Sequence, residues 1–494
     1  GAPQNEGTRR WLTRRVLGGL APGRAERDLT TLNGVVKAEA RGRYAVVEFA
    51  GLADAAIAGA EALKKVAGVR SAEPMLARRW FPCFTPDDAY FAHSPANAGY
   101  QWHLKNQGTN GATAGIDLNV TTAWDTWKGT GIRIGIVDDG LEAAHPDLSA
   151  NVDLLNDYDF NDADDDPSPG VEDFHGTSCA GVAAARGNNG IGVSGVAPEA
   201  TLVGMRFLTA PTTDAEDADV MAFKEDIIQI RSNSWGPWDD ARGTGGPGPL
   251  AQAAIETAAT TGRGGKGTVF LWAAGNGNYT GDDSNYNGWA NSPYAIAVGA
   301  INDKGRAAWY SEPGANLLVC APSGGGKQDV ATTDRTGSTG YNEDGGLVEH
   351  PDFTDTDYTN TFSGTSSATP AVAGVVALML QANPNLTSRD VQEILVRTAV
   401  KNDPYDGGWV QNGAGFHFNP AYGAGLADAL AATTMATSWT NVPPVQSHSY
   451  TQTALALPIP DADETGTSRT FTVPPADNLR LEHVLLHVKT THPY

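Results

Sequence analysis

The sequence predicts an α/β protein built on a parallel β-sheet, with a small α+β unit before it and a β-rich segment after it. In the central part, about 117–431, short β-branched segments alternate with helical segments of small residues. This is the pattern of βαβ units whose helices cover both faces of a sheet. The predicted strands include Ile132–Val137, Thr201–Met205 and Thr268–Trp272.

The N-terminal unit is predicted from residues 1–79. A β-branched segment, Tyr44–Phe49, is followed by an alanine-rich helical segment, Ala55–Val66, and by the extended segment Val69–Pro74. The 79 residues contain 14 Lys and Arg but only 8 Asp and Glu, a net charge of +6, which leaves −29 for the rest of the −23 chain. A basic unit therefore precedes an acidic body.

The C-terminal segment is predicted to be rich in β-structure. After Trp439, turn residues and alternating segments such as Arg469–Val473 and Arg480–Val488 replace the helical pattern. Only about 55 residues follow Trp439, few for an independent β-sandwich, so we expect the chain to stop inside that domain.

Composition excludes two broad classes of protein. The net charge of −23 argues against a surface that neutralises phosphates, so nucleic acid is not an expected partner. No apolar run approaches the roughly 18 residues of a membrane-spanning helix, so no transmembrane segment is expected. The chain opens with Gly-Ala-Pro-Gln-Asn-Glu, without the pattern of a secretory signal, so any export signal was removed or never included.

Three separate motifs carry residues suited to catalysis. Asp138 ends a buried strand, His175 begins a helix of very small residues, and Ser366 lies on the first turn of an apolar helix. Each alone has a simpler explanation, as a turn or helix cap or a core histidine. Together they supply an orienting carboxylate, a general base and a nucleophile, in the order Asp, His, Ser known from subtilisin.

Val137–Gly140, His175–Thr177 and Gly364–Pro370 resemble the three catalytic signatures of the subtilase family. The resemblance implies a subtilisin-like catalytic domain that hydrolyses peptide bonds, with no metal or organic cofactor taking part at Ser366. Ala273–Gly277 is similar to the oxyanion loop of the family and assigns the amide donor to Asn276. The alternative for this last segment is a tight Asn-Gly turn without a catalytic role.

Further motifs resemble the kexin and furin branch, whose members cleave after basic residues. They are Asp138–Gly140, Ser234–Asp240 and Asn412–Gly415. The resemblance implies that Asp239 lines the primary pocket, that Asp139 and Glu172 face the next substrate residue, and that Asp217 faces a basic residue further upstream. Ser234, Trp235 and Gly236 are further predicted substrate-binding residues. Asn287 and Gly245 stand where the branch has acids, which weakens the expected recognition of arginine.

The same resemblance divides the chain into three parts. Residues 1–79 correspond to a propeptide, 80–440 to the catalytic domain, and 441–494 to the N-terminal part of a P-domain, which is a β-sandwich. Arg78-Arg79 stands at the end of the basic unit, so Arg79-Trp80 is the predicted self-cleavage site. The alternative is a chance pair in an arginine-rich segment, since Arg9-Arg10 and Arg14-Arg15 also occur.

Calcium is the predicted cofactor. Residues 159–166 hold five carboxylates in eight positions, a repulsion that a cation would relieve; a solvated acidic loop is the alternative. The resemblance implies one ion on Asp159, Asp164 and Asp166 and a second behind the primary pocket on Asp239, Asp282 and Glu312. A third would bind Asp88, Asp147 and Asn189, with main-chain oxygens of Arg186, Ile191 and Val193.

We therefore expect a calcium-dependent serine endopeptidase, monomeric and secreted or extracytoplasmic, that acts on protein or peptide substrates and binds its own propeptide. Two alternatives remain at this stage. One is a degradative subtilase of broad specificity, and the other is a latent zymogen or a non-catalytic calcium-binding protein. Of the three cysteines, Cys179 is interpreted as a packing residue, and a Cys83–Cys320 pair stays open.

Overall fold

The computed structural model describes residues 11–22, 29–77, 84–92, 100–241, 244–343, 345, 352–453, 457–460, 466–474 and 481–488. Arg78, Arg79, Trp80 and Cys83 lie outside these residues, and so does the predicted self-cleavage bond.

The N-terminal unit is a four-stranded antiparallel sheet covered by one helix. Its elements are β1 (Trp11–Leu20), β2 (Val35–Arg41), β3 (Tyr44–Phe49), α1 (Ala55–Lys64) and β4 (Val69–Ala77). The strand order is β2-β3-β1-β4. Apolar side chains of the sheet and helix form a core of their own, centred on Val16, Val47 and Leu63. The small α+β unit is thus observed, and its role as a propeptide stays a prediction.

The central body is built on a seven-stranded sheet in which every pairing is parallel. Its order is β11-β10-β9-β8-β5-β7-β6. The strands are β5 (Arg133–Asp138), β6 (Tyr158–Asp159), β7 (Thr201–Arg206), β8 (Ile230–Asn233), β9 (Val269–Ala273), β10 (Ala295–Ile301) and β11 (Leu317–Pro322). The three predicted strands are confirmed, each shifted by about one residue.

Helices cover both faces of this sheet, as predicted. The helices are α2 (His175–Ala184), α3 (Asp214–Ala222), α4 (Pro249–Gly265), α5 (Thr365–Ala382), α6 (Ser388–Thr398) and α7 (Ala429–Ala436). Those on one face, α2, α5, α6 and α7, share the larger core. Helices α3 and α4 bury their apolar residues on the other face, against the sheet's aromatic side chains.

Two small antiparallel sheets of two strands each and four 3-10 turns complete the regular structure of the described residues. One sheet pairs β12 (Val330–Thr333) with β13 (Tyr358–Phe362), and the other pairs β14 (Val410–Gln411) with β15 (His417–Phe418). The 3-10 turns are Thr109–Gly111, Ala123–Asp125, Asn278–Thr280 and Ser284–Tyr286. Strand β13 matters for function because it leads directly into the start of α5.

Helix α5 is the one described helix that is long and apolar enough to cross a membrane by length and composition alone. It lies in the core, where 83% of it is buried by the rest of the protein. Its apolar character is therefore explained by packing, with its small residues allowing contact with α2 and with five strands of the sheet.

The segment after residue 440 contains neither helix nor strand in its described residues, 441–453, 457–460, 466–474 and 481–488. It contacts α6 through a bidentate ion pair between Arg389 and Glu482, at 2.9 and 2.7 Å. His483 Nε2 lies 3.1 Å from Gln392 Oε1 on the same helix. The P-domain assignment of 441–494 stays a prediction.

Candidate active site

The carboxyl ends of the parallel strands bring Asp138 and His175 together. Asp138 is the last residue of β5, and His175 is the first residue of α2. His175 Nδ1 lies 2.8 Å from Asp138 Oδ1, and Asp138 is only 1% exposed. This contact fixes the imidazole orientation and leaves its Nε2 side free to face a nucleophile.

The electrostatics of this pair favour a charged imidazole. Burial alone lowers the pKa of His175, but the adjacent Asp138 charge raises it, and the resulting pKa lies well above the ordinary 6.5. The imidazole accepts a proton only when it is neutral, so its action as a base is expected to require a pH above 6.5.

Ser366 lies in the first turn of α5, two residues after Gly364, at which the chain turns into the helix. Gly364 adopts φ of +78°, a conformation that side chains disfavour, and Ser366 follows in the first helical turn. The Ser366 hydroxyl donates to the main-chain oxygen of Ser234 at 3.2 Å. It must rotate away from Ser234 before it can donate to His175.

Cys179 connects His175 to Ser366. It lies one helical turn after His175, and its sulfur is 3.8 Å from His175 Nδ1. The same thiol donates to the main-chain oxygen of Ser366 at 3.6 Å. Burial raises the pKa of Cys179 to about 11, so its thiol is neutral near pH 7 and unsuited to nucleophilic attack. Cys320 is also a free, buried thiol.

The Asn276 side chain has its orientation fixed by its hydrogen bonds. Its Oδ1 accepts from the main-chain N–H of Thr365 at 2.8 Å and from the Thr365 hydroxyl at 3.1 Å. The amide nitrogen therefore faces away from Thr365 and is available as a donor beside Ser366. An oxyanion site needs such a fixed donor in this position.

Asp139 has a role that the sequence analysis did not predict. Its two carboxylate oxygens accept the main-chain N–H groups of Phe174, His175 and Gly176, at 3.1, 3.0 and 2.7 Å. The side chain thus caps the N-terminus of α2, where negative charge is favourable. Burial and the Asp138 charge raise the pKa of Asp139 to about 6.

A cleft follows the end of β8 and contains two of the predicted substrate residues, Asp239 and Asn287. Its lining residues are Pro237, Trp238, Asp239, Asp282, Tyr286, Asn287 and Glu312. Asn287 Oδ1 accepts the N–H groups of Trp289 and Ala290, at 3.0 and 3.2 Å. Its amide nitrogen consequently faces Gly236, so Asn287 presents a donor where an acid would accept from a substrate cation.

Ser234, Trp235, Glu172 and Asp217, also predicted to bind substrate, are not among the residues that line this cleft. Ser234 donates its hydroxyl to Ser366 O at 3.0 Å. The Trp235 ring packs 5.1 Å from both Trp272 and Trp289. Glu172 is exposed, and Asp217, on the first turn of α3, accepts from the Thr212 hydroxyl at 2.6 Å.

Asp239, Asp282 and Glu312 form a cluster of three acids, which we call the acid cluster. One carboxylate oxygen from each lies within 4.8 Å of the others. Burial raises the pKa of Glu312 to about 8, and the charges of Asp239 and Asp282 add to this shift. Hard oxygen donors that repel one another in a buried site fit a calcium ion.

The Asp88 and Asp147 site also fits a cation. Asp88 Oδ1 is buried without a hydrogen-bond partner. Burial raises the pKa of Asp88 to about 6 and that of Asp147 to about 7. The Asn189 amide donates to Asp147 Oδ1 at 2.7 Å, and the Val193 N–H donates to its other oxygen at 2.8 Å. The predicted ligands Arg186 and Ile191 belong to the same loop.

The carboxylates of the calcium site predicted in the acidic loop, Asp159, Asp164 and Asp166, do not surround one point. Asp159 Oδ2 instead accepts from the Arg206 guanidinium at 2.6 Å, while Asp164 and Asp166 are exposed. Arg206 also pairs with Asp162 at 3.0 Å and with Asp173 at 3.3 Å. As arranged here, Asp159 is compensated by an arginine and Asp164 and Asp166 are solvated, so the three acids do not fit a preformed calcium cage.

Three residues near this site were not predicted from the sequence: Arg206, Thr365 and Tyr341. Arg206 ends β7, which pairs with β5, and its position at that edge of the sheet was the available signal. Thr365 was noted only as part of the Gly364–Pro370 motif, although its main-chain N–H and its hydroxyl orient the Asn276 side chain. Tyr341, which contacts Phe174 and Phe362 near His175, gave no signal because it lies in an irregular loop.

Comparison with known proteins settles the family. Residues 129–425, more than half of the chain, match the model described as "Subtilase family". The chain belongs to the subtilase family.

Relatives of this subtilase include kexin- and furin-like proteases. PC3-like endoprotease variant B of Hydra vulgaris is 41% identical over 367 residues, which are 72% of this chain and 48% of that protein. Furin-1 of Xenopus laevis is 37% identical, covering 70% of this chain and 42% of its own length. This subtilase therefore spans about half the length of the curated relatives it matches.

A solved structure supports the fold. The serine protease of Aeromonas sobria, in complex with the chaperone ORF2, superposes with a TM-score of 0.63 at 28% identity, covering 70% of this chain and 67% of that one. The parallel-sheet, subtilisin-like fold predicted for this subtilase is confirmed.

Proposed function

We propose that this subtilase is a serine endopeptidase that hydrolyses peptide bonds in protein or peptide substrates, with Asp138, His175, Ser366 and Asn276 as catalytic residues. The observation that carries the proposal is the close grouping of these side chains. Asp138 holds His175, Cys179 contacts both His175 and Ser366, and Asn276 is fixed by the residue before Ser366.

The reaction follows from these positions. After rotating away from Ser234, Ser366 attacks the scissile carbonyl while His175 takes its proton, and Asp138 stabilises the imidazolium. The Asn276 amide donates to the developing oxyanion. His175 then gives its proton to the leaving amine, and water attacks the acyl-enzyme with His175 again acting as base.

A preference for basic residues before the scissile bond is the second part of the proposal. Asp239, predicted for the primary pocket, and Asp217, predicted to face a residue further upstream, carry negative charge in a chain of net charge −23, so a basic substrate is attracted. The donor that Asn287 presents limits this preference, which makes strict multibasic specificity unexpected. The broad-specificity alternative is favoured if Asn287 removes the preference altogether.

Calcium dependence, self-processing and an extracytoplasmic location complete the proposal. The acid cluster and the Asp88 and Asp147 site are proposed to hold Ca²⁺, which would supply positive charge to buried carboxylates and so stabilise the folded state. Residues 1–79 would act as a propeptide removed at Arg79-Trp80, which leaves a latent zymogen until that bond is cut. Location outside the cytoplasm is proposed from the kexin- and furin-like relatives.

Labelling of the nucleophile tests the catalytic assignment. A fluorophosphonate probe is expected to label the wild-type chain in calcium, to label Ser149→Ala equally, and to leave Ser366→Ala unlabelled. Ser149 is an exposed serine outside the site and serves as a matched control. Equal labelling of Ser366→Ala would reject the assignment.

Peptide hydrolysis tests the mechanism and the preference. Asn276→Ala is expected to lose about 10²–10³ in turnover, the cost measured for the corresponding donor in subtilisin. Peptides with Arg or Lys before the scissile bond should be cut faster than those with Leu or Phe. Comparable rates would reject the basic preference and favour the degradative alternative, and a Ser366→Ala chain that still loses residues 1–79 would reject self-processing.

A further inference from the structure

Pro370 leaves the main-chain oxygen of Ser366 without its usual helical donor. In an α-helix each C=O accepts from the N–H four residues later, which for Ser366 is position 370. Proline has no N–H, and its ring presses against the carbonyl four residues before it. Pro370 lies inside α5 and is buried. The Ser366 oxygen is therefore turned toward donors that lie outside its own helix.

Two side chains from other elements donate to this oxygen. The Ser234 hydroxyl donates at 3.0 Å and the Cys179 thiol at 3.6 Å. Ser234 directly follows β8, and Cys179 lies on α2, one helical turn after His175. Both side chains are almost fully buried, with residue exposures of 6% and 1%. The Ser366 oxygen thus joins the start of α5 to α2 and to the end of β8.

These bonds can hold the main chain of Ser366 while its side chain moves. Ser366 and Ser234 are joined twice, because the hydroxyl of each donates to the main-chain oxygen of the other. When the Ser366 hydroxyl rotates toward His175 it gives up its own bond, whereas the Ser234 hydroxyl keeps its bond to the Ser366 oxygen. The Cys179 bond connects the same oxygen to the helix that carries His175.

We propose that the Ser234 hydroxyl and the Cys179 thiol are positioning groups, which replace the N–H that Pro370 lacks and so fix the nucleophile relative to the base. The inference rests on the proposed protease function. It gives Ser234 a part beyond the substrate binding predicted for it, and Cys179 a part beyond packing. A small displacement of a reacting group is enough to slow catalysis severely.

The rate of fluorophosphonate labelling tests the role of the two donors. Ser234→Ala is expected to lower both the labelling rate constant and kcat by about tenfold, the scale of one hydrogen bond, with KM changed by less than about twofold. Cys179→Ala should lose less, about threefold, because a thiol is a weak donor. An unchanged rate constant in Ser234→Ala, or a raised KM with kcat unchanged, would overturn the inference.

The final labelled fraction separates positioning from a loss of folded protein. Unfolding would lower this fraction, whereas a displaced nucleophile lowers the rate constant and leaves labelling complete. Ser178→Ala is the matched control, because Ser178 is a buried serine next to Cys179 whose hydroxyl has no hydrogen-bond partner among the described residues. It should keep the wild-type rate constant, and an equal loss in this variant would overturn the specific role of the two donors.

Returning an N–H to position 370 gives the sharpest test. Pro370→Ala supplies the missing helical donor, so in that background Ser234→Ala should cost only about twofold. A tenfold loss in both backgrounds would overturn the connection to Pro370.

The double variant Ser234→Ala/Cys179→Ala gives a check that does not depend on the folding of Pro370→Ala. Either donor can partly serve the Ser366 oxygen, so the loss in the double variant should exceed the product of the two single losses. A loss equal to that product, or below it, would overturn the shared role.

The same preparations separate the two levels of inference. A wild-type chain that is neither labelled nor able to cut any peptide fails the proposed function itself. If the wild-type chain and Ser234→Ala are labelled at Ser366 with the same rate constant, the protease function stands and the positioning role is rejected.

Discussion

The acidic loop and the acid cluster contain similar side chains but are compensated differently. The loop, residues 159–166, has five carboxylates close together in sequence, and its buried member Asp159 pairs with Arg206. The acid cluster brings Asp239, Asp282 and Glu312 together from distant parts of the chain, and each is at least partly buried. The loop thus has an internal cation, whereas the described surroundings of the cluster record none paired with it.

This difference shows which acids depend on a bound ion. Crowding of acids along the sequence does not measure repulsion in the fold, because exposed carboxylates are solvated and a buried one can be paired. Burial without a nearby cation does measure this repulsion, and it raises the pKa of Glu312 even though the Gly277 N–H donates to that carboxylate. The requirement for calcium should therefore come from the cluster more than from the loop.

Removal of Arg206 should have the largest effect. Arg206→Met leaves the buried Asp159 without its cation, so the free energy of unfolding should fall by about 3–5 kcal/mol, the cost of breaking a buried pair from one side. Excess calcium should restore part of this loss, since Asp159 then lacks a competing cation. Chemical denaturation with and without calcium measures both.

The control is Arg133→Met, which removes a more exposed pair with Asp153 in the same sheet. It should cost less than about 1 kcal/mol. If Arg206→Met is no more costly than this control, the loop is not held by its arginine and the comparison fails.

A change of pH should have the next largest effect on the free energy of unfolding, measured on the calcium-free protein. In EGTA, folded Glu312 has a pKa of about 8 against an ordinary 4.5, so it binds its proton more tightly when folded. The free energy of unfolding should therefore fall, by on the order of 3 kcal/mol, as the pH rises from about 5 to 8. Thermal melting across this range measures the fall.

Calcium should reverse that trend, because the ion binds the deprotonated carboxylates. Glu312→Gln is the matched variant, and in EGTA it should lose most of the dependence. A melting temperature that is the same with calcium and with EGTA at pH 8 would contradict a calcium role for the cluster.

Substitution in the exposed part of the loop should have the smallest effect. Asp165 is exposed and lies between exposed neighbours. Asp165→Asn should change the free energy of unfolding by less than about 0.5 kcal/mol. Denaturation in EGTA and in calcium checks this value, and a loss above 1 kcal/mol in calcium alone would indicate an ion bound to the loop.

Local patterns in the sequence predicted the sheet well, and they marked Asp138 and His175, which the structure brings into contact. Strands such as β5 are marked by β-branched residues between glycine turns, and parallel strands bring their carboxyl ends, with Asp138, to one edge. The apolar stretch Ala371–Leu380 indicated a buried helix, so Ser366 was predicted on its first turn, where the structure has it.

Local patterns could not predict which way a side chain donates or accepts hydrogen bonds, or which residues distant in the sequence it contacts. The cap that Asp139 provides depends on where α2 begins relative to β5, and the donor that Asn287 presents depends on the chain turn at Trp289. The Tyr341 contacts come from an irregular loop without periodicity. The predicted strands after Trp439 do not occur in the described residues there, so local alternation alone did not specify them.

One carboxylate determines where the central body can be shortened. Asp390 Oδ1 accepts from the Trp439 indole and from the main-chain N–H of Val442, both at 2.8 Å, while its Oδ2 accepts from Thr387 at the start of α6. A truncation before Trp439 would leave that buried charge short of two donors. A recombinant catalytic body should therefore extend beyond Val442, and trimming by added proteases is expected to stop on the far side of that residue.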